Sequence, residues 1–110
     1  MIVHESTGSS VDGAVRALLK QNLGVHYAVG MDGTVYQFAD PSTETVFHTP
    51  GLNDGSVGIE FISPYSPGAA AEGAKVIPAP WAHGGQYVVP PVDQLEVMYA
   101  LTTYVSATYG

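Results

Sequence analysis

Residues 55–62 read Gly55-Ser56-Val57-Gly58-Ile59-Glu60-Phe61-Ile62, GSVGIEFI. Val57, Ile59 and Phe61 alternate with Gly58, Glu60 and Ile62, and β-branched and aromatic residues dominate. This is the pattern of a strand at the centre of a sheet. Glu60 breaks it. An ionised carboxylate inside a low-dielectric sheet is costly unless something pairs with it, so the stretch predicts a central strand over Val57 to Ile62 that carries a site.

The flanking chain supplies the rest of the sheet. Upstream, Thr49 to Gly55 is a loop carrying glycine and asparagine, and Thr45 to His48 is expected as a short strand before it. Val25 to Val29 and Thr34 to Phe38 flank Met31-Asp32-Gly33, and Asp-Gly between such runs signals a hairpin. Val11, Ala14, Val15, Leu18 and Leu19 fall at i, i+3, i+4, i+7 and i+8, one apolar stripe of a helix. Ser9 with Asp12 resembles a capping box, and Gly24 is placed to end that helix. Ile2-Val3-His4 forms a short strand that ends in a polar residue.

Downstream, Ser63 to Pro91 is rich in Pro, Gly and Ala, and is expected as one long surface excursion packed through Trp81, Tyr87, Val88 and Val89. Val92 to Tyr109 is a second helix with Leu95, Met98, Thr102 and Val105 along one side, ended by Gly110. Strand, helix, hairpin, strand and helix in that order imply an α/β domain with a mixed central sheet and packed helices.

Composition narrows the function. The 110 residues carry 3 Lys+Arg against 10 Asp+Glu, a formal net charge of −7. Nucleic acid and anionic membrane surfaces favour basic proteins, so neither is an expected partner. No apolar run is long enough to span a bilayer, and MIVHES lacks the basic and apolar regions of a signal peptide. Cysteine is absent, which excludes disulfides and a thiolate nucleophile and leaves His and carboxylate as metal donors.

Four histidines stand beside one buried-looking glutamate. His4 lies at a strand end, where it faces either a cleft or a surface turn. His26, on the face opposite Val25, Tyr27 and Val29, suits a structural histidine with satisfied ring nitrogens. His48 sits at a strand-to-loop boundary, and His83 lies in the excursion, where a solvated histidine is the plain reading. No His-x-x-x-His or Cys pair marks a metal helix. Ser56 lacks the G-x-S-x-G elbow of a serine hydrolase, and no glycine-rich loop runs from a strand into a helix to cradle phosphate.

Taken together, IVHEST, VHYAVGMDGTVYQFAD and FHTPGLNDGSVGIEF resemble the zinc-dependent N-acetylmuramoyl-L-alanine amidases, the superfamily of phage lysozyme-type amidases (endolysins) and peptidoglycan-recognition proteins. The motifs occur in the family's order over most of the first 62 residues, and PWAHGGQYVVP followed by a helix is similar to one subgroup. The resemblance implies a mixed-sheet amidase fold, Zn2+ as cofactor, and peptidoglycan or its muropeptides as the partner, so that the chain acts on the bacterial cell wall. His4 matches the first zinc ligand, and Glu60 matches the acid that polarises a zinc-bound water in one branch. Another branch uses a tyrosine just before the hairpin histidine, a position held here by Val25. His48 matches a histidine lining the substrate groove; Asn53 lies in the loop beside it, and His83 is the third substrate-binding candidate.

In the family two further zinc ligands, a His and then an Asp or Cys, follow the C-terminal helix. No His occurs after His83. The expectation is one amidase-like domain over 1–110, incomplete at its C-terminal end, with one of three zinc ligands present. Two functions follow from the resemblance: hydrolysis of the amide between N-acetylmuramic acid and L-alanine through a zinc-bound water, or non-catalytic peptidoglycan binding in a retained groove.

Overall fold

The computed structural model of the chain describes residues 1–6, 8–64 and 74–110, with the side chain of His83 outside that description. Its elements run β1 (Ile2–Ser6), α1 (Val11–Lys20), β2 (Tyr27–Val29), β3 (Val35–Gln37), β4 (Gly58–Ile62), β5 (Val76–Pro78), β6 (Gln86–Val88) and α2 (Val92–Tyr109). A four-stranded sheet has the order β1-β4-β2-β3, and β5 pairs with β6 in a separate ribbon. β4 runs parallel to both neighbours, and β2–β3 is antiparallel. The mixed sheet is as expected, and the strand carrying Glu60 is its centre.

Alternation along β4 sorts the two faces. Val57 and Ile59 join Tyr27 and Val29 of β2 and Met98, Leu101 and Val105 of α2 in one buried cluster. Burying a side chain such as Ile59, which is fully enclosed, contributes about 1.5–3 kcal/mol. α2 therefore covers this face. Its buried side is Gln94, Met98, Leu101 and Val105, rotated from the expected Leu95–Met98–Thr102–Val105 stripe. The reason is Gln94, a polar residue that hides completely because its Nε2 donates to the carbonyls of Ile62 (2.7 Å) and Val29 (3.3 Å).

α1 borders the other face, where Val11, Val15, Tyr36 and Phe38 line a groove between helix and hairpin. Its N-cap is Ser10, whose Oγ accepts from Gly13 N–H at 3.1 Å. The expected Ser9–Asp12 box is not formed, because the helix is capped one residue later, and Asp12 pairs with Arg16 at 2.9 Å. The helix ends earlier than Gly24. Asn22, at φ +57°, takes the left-handed position, while Leu23 N–H bonds Leu18 O and Asn22 N–H bonds Leu19 O. That is a Schellman ending built on asparagine.

The hairpin closes as a four-residue turn, Gly30 N–H to Thr34 O and Gly33 N–H to Gly30 O, with Gly33 at φ +81°. Its strands are shorter than Val25–Val29 and Thr34–Phe38. Thr45 to His48 is not a strand; one backbone bond, Gly24 N–H to Phe47 O, ties it down. The excursion after Ser63 does hold regular structure, in the β5–β6 ribbon and a 3-10 turn at His83–Gly85. Residues 65–73 of the excursion lie outside the description.

Candidate functional site

The parallel register between β1 and β4 sets His4 opposite Glu60, and β2 sets Ala28 on the other side of Glu60. Paired residues on adjacent strands point to the same side, and strands lie about 4.8 Å apart. His4 and Glu60 are thus neighbours on the face away from α2. Ala28, on the hairpin's first strand, is the small neighbour of Glu60 on that side.

His48 arrives on this face from the loop, and the loop is built to deliver it. Asn53 Oδ1 accepts from the backbone N–H groups of both His48 and Thr49, each at 2.8 Å. Ser56 Oγ donates to Leu52 O in a short hydrogen bond. His48 Nε2 lies 3.0 Å from Ser56 Oγ, and His48 Nδ1 lies 3.1 Å from His4 Nε2. Thr49 Oγ1 sits beside both imidazoles, at 3.4 Å from His4 Nε2 and 3.3 Å from His48 Nδ1. The ring presses on β4 itself: a Cβ on Gly58 would stand 2.7 Å from His48 Cγ. Only glycine leaves space for it. His48 is therefore packed inside the cluster, 8% exposed, and not at its rim.

His26 completes the group in the structural role anticipated for it. Its Nδ1 accepts from Gly58 N–H at 3.0 Å, which leaves Nε2–H to donate to Glu44 O at 2.9 Å. Both nitrogens are spent holding the 40–48 segment to the sheet. The His4 and His48 rings meet edge to face at 5.4 Å, and His26 and His48 at 6.2 Å.

Burial shapes the electrostatics. Glu60 is 9% exposed, and among the described residues no donor bonds its carboxylate. Desolvation alone raises its pKa above the ordinary carboxylate value, because losing water penalises the charged form. The same loss of water lowers the pKa of His4. His48 is lowered by burial first and by the neighbouring imidazoles second. A carboxyl that holds its proton to higher pH thus faces imidazoles that resist taking one.

Asn53 and His83 stand differently. The Asn53 oxygen is committed to the loop, and its Nδ2 has no hydrogen-bond partner among the described residues. His83 opens the 3-10 turn, and the placement of its side chain lies outside the described residues. Sequence reading passed over Ser56, weighed only as a nucleophile, and Thr49 and Gly58. Glycine inside a strand was the available signal, since it often marks close approach by another group.

A catalytic zinc usually takes three protein ligands and keeps a fourth position open. Among the described residues no three His, Asp or Glu side chains converge in that way. His4 and His48 also spend facing nitrogens on each other. The donor set on this face does not fit a complete zinc centre. No helix among the described residues is long and apolar enough to cross a membrane.

Comparison with known proteins bears on the family and the fold. The family described as N-acetylmuramoyl-L-alanine amidase matches over residues 1–110. No curated protein gives a significant sequence match. Among solved structures, the fold is similar to the N-acetylmuramyl-L-alanine amidase AmiD from E. coli, solved with the substrate anhydro-N-acetylmuramic acid-L-Ala-D-gamma-Glu-L-Lys. The TM-score is 0.67 at 16% identity, over 97% of this chain and 42% of that one. The chain thus spans less than half the length of that structure.

Proposed function

This chain belongs to the N-acetylmuramoyl-L-alanine amidase family, and from that premise we propose that it acts on peptidoglycan, at the amide joining N-acetylmuramic acid to L-alanine. The observation that carries the reading is the β1–β4 register, which sets His4 beside Glu60 on one face of the sheet, where the loop residue His48 bonds His4. The AmiD complex with a muropeptide supports the substrate class.

In this reading Glu60 is the general base and acid. Its raised pKa suits it to take a proton from the water that attacks the amide carbonyl and to return it to the leaving amine, a role typically worth about 10²–10⁴-fold in rate. His4 is proposed as the first ligand to a zinc ion. The donors among the described residues are too few to complete that site, so the chemistry these residues supply is proton transfer and orientation. His48 and the Asn53 amide are proposed to border the bound muropeptide, with His83 as a third contact. The expected behaviour of this chain is weak zinc affinity and slow cleavage.

The short donor set favours a second reading, a peptidoglycan-binding module that keeps the face without turnover. Muropeptide cleavage measured by mass spectrometry, with and without added zinc, separates the two. Zinc-stimulated release of the stem peptide, lost in Glu60→Gln, supports the hydrolase. Muropeptide binding without any cleavage at saturating zinc supports the module. Full activity after removal of zinc would contradict the ligand role given to His4.

A further inference from the structure

We propose that Ser56 and His48 form a one-way hydrogen-bond relay that holds His4 in its Nε2–H tautomer and leaves His4 Nδ1 as the nitrogen with a free lone pair. The inference rests on the reading of His4 as a site residue, and it makes Ser56 and His48 positioning residues for it.

The direction follows from counting protons along the chain of contacts. Leu52 O is a carbonyl and can only accept, so the proton between it and Ser56 Oγ is the serine hydroxyl's own. With its proton spent, Ser56 Oγ must accept from His48, at Nε2, 3.0 Å away. A neutral imidazole carries one N–H and one lone pair. His48 Nδ1 is therefore the lone pair, and the 3.1 Å contact with His4 Nε2 requires the hydrogen to come from His4. Thr49 Oγ1 fits the same assignment, because a hydroxyl can accept from His4 Nε2–H and donate to His48 Nδ1. The remaining nitrogen, His4 Nδ1, meets no partner among the described residues.

The relay is also held in place. Asn53 fixes the His48 backbone, and the missing Cβ of Gly58 lets the ring lie against β4. His26 does not take part: its two nitrogens are bonded to Gly58 N–H and Glu44 O. It serves as an internal reference.

The test is imidazole 15N–1H correlation spectroscopy on the labelled whole chain without metal, at a pH well above about 6.5, the ordinary histidine value. The expected spectrum shows His4, His26 and His48 all as Nε2–H. In Ser56→Ala, His48 gains a Nδ1–H population and His4 loses its purely Nε2–H pattern, while His26 keeps its own. Ser56→Thr, which restores a hydroxyl, returns both rings to the wild-type pattern. A wild-type spectrum with His48 as Nδ1–H overturns the relay before any variant is made. Unchanged His4 and His48 tautomers in Ser56→Ala overturn it as well. Muropeptide cleavage is scored separately. The expected tautomers in a protein that never cleaves would sink the hydrolase reading and leave the relay, whereas cleavage with the opposite tautomers would do the reverse.

Discussion

The two faces of β4 are made by the same five residues and could hardly differ more. Toward α2, Ile59 sits in a dry cluster with Val29, Met98 and Val105. Toward the other side, Gly58 meets His26 and His48 and Glu60 lies beside His4, with Ser56 and Thr49 bonded to the imidazoles. Apolar burial is concentrated on the first face and the titratable groups on the second. The contrast shows how a small domain carries a costly carboxylate: its strand is already anchored from behind.

That division can be broken by substitution. The largest expected effect is on the polar face. Glu60→Gln should lower muropeptide turnover by about 10²–10⁴-fold, read by product release. It should also raise thermal stability at neutral pH. The sign follows from the raised pKa of Glu60: the stability its carboxyl contributes is full below the unfolded value and is lost as pH rises through the folded one. Glutamine, which does not ionise, escapes that loss. A variant less stable than wild type at neutral pH would contradict the desolvated carboxylate.

On the dry face the balance reverses. Ile59→Ala should cost about 2–5 kcal/mol of unfolding free energy, measured by urea titration, and the folded fraction should keep the His4 and His48 spectrum. Gly58→Ala lies between the faces. A Cβ at 2.7–2.9 Å from the His48 ring should cost about 1–3 kcal/mol as an overpacked site and should disturb His48 far more than α2. The smallest effect belongs to neither face. Arg16→Ala removes an ion pair whose side chains are three-quarters exposed, and stability should move by no more than about 0.5 kcal/mol.

The sequence made some of this plain and hid the rest for physical reasons. α2 was legible to its last residue because no proline or glycine interrupts residues 92–109 and Gly110 closes it. β4 was legible because alternation and β-branching agree. Its buried glutamate marked the candidate face. The N-cap slipped by one, since Ser9 and Ser10 are equally able to cap and only the fold chooses. Thr45 to His48 looked like a strand, yet the side chains of Asn53 and Ser56 capture the neighbouring loop instead. The stripe on α2 was misjudged because Gln94 pairs with strand carbonyls that no local pattern reveals. The bond from His48 to His4 spans 44 residues, and it forms because the loop held by Asn53 and Ser56 delivers His48 to β1.

The central claim is that the His4–Glu60 face is where this chain meets muropeptide. The most direct measurement is NMR titration of the 15N-labelled chain with a muropeptide containing N-acetylmuramic acid and L-alanine, which reads contact whether or not cleavage follows. The account predicts shift changes clustered at His4, His48, Thr49, Asn53 and Glu60, with α2 and its contacts nearly still. Changes confined to α2, or to the hollow of about 500 Å3 lined by Met31, Val88 and Leu95, with His4 and Glu60 unmoved, would contradict it.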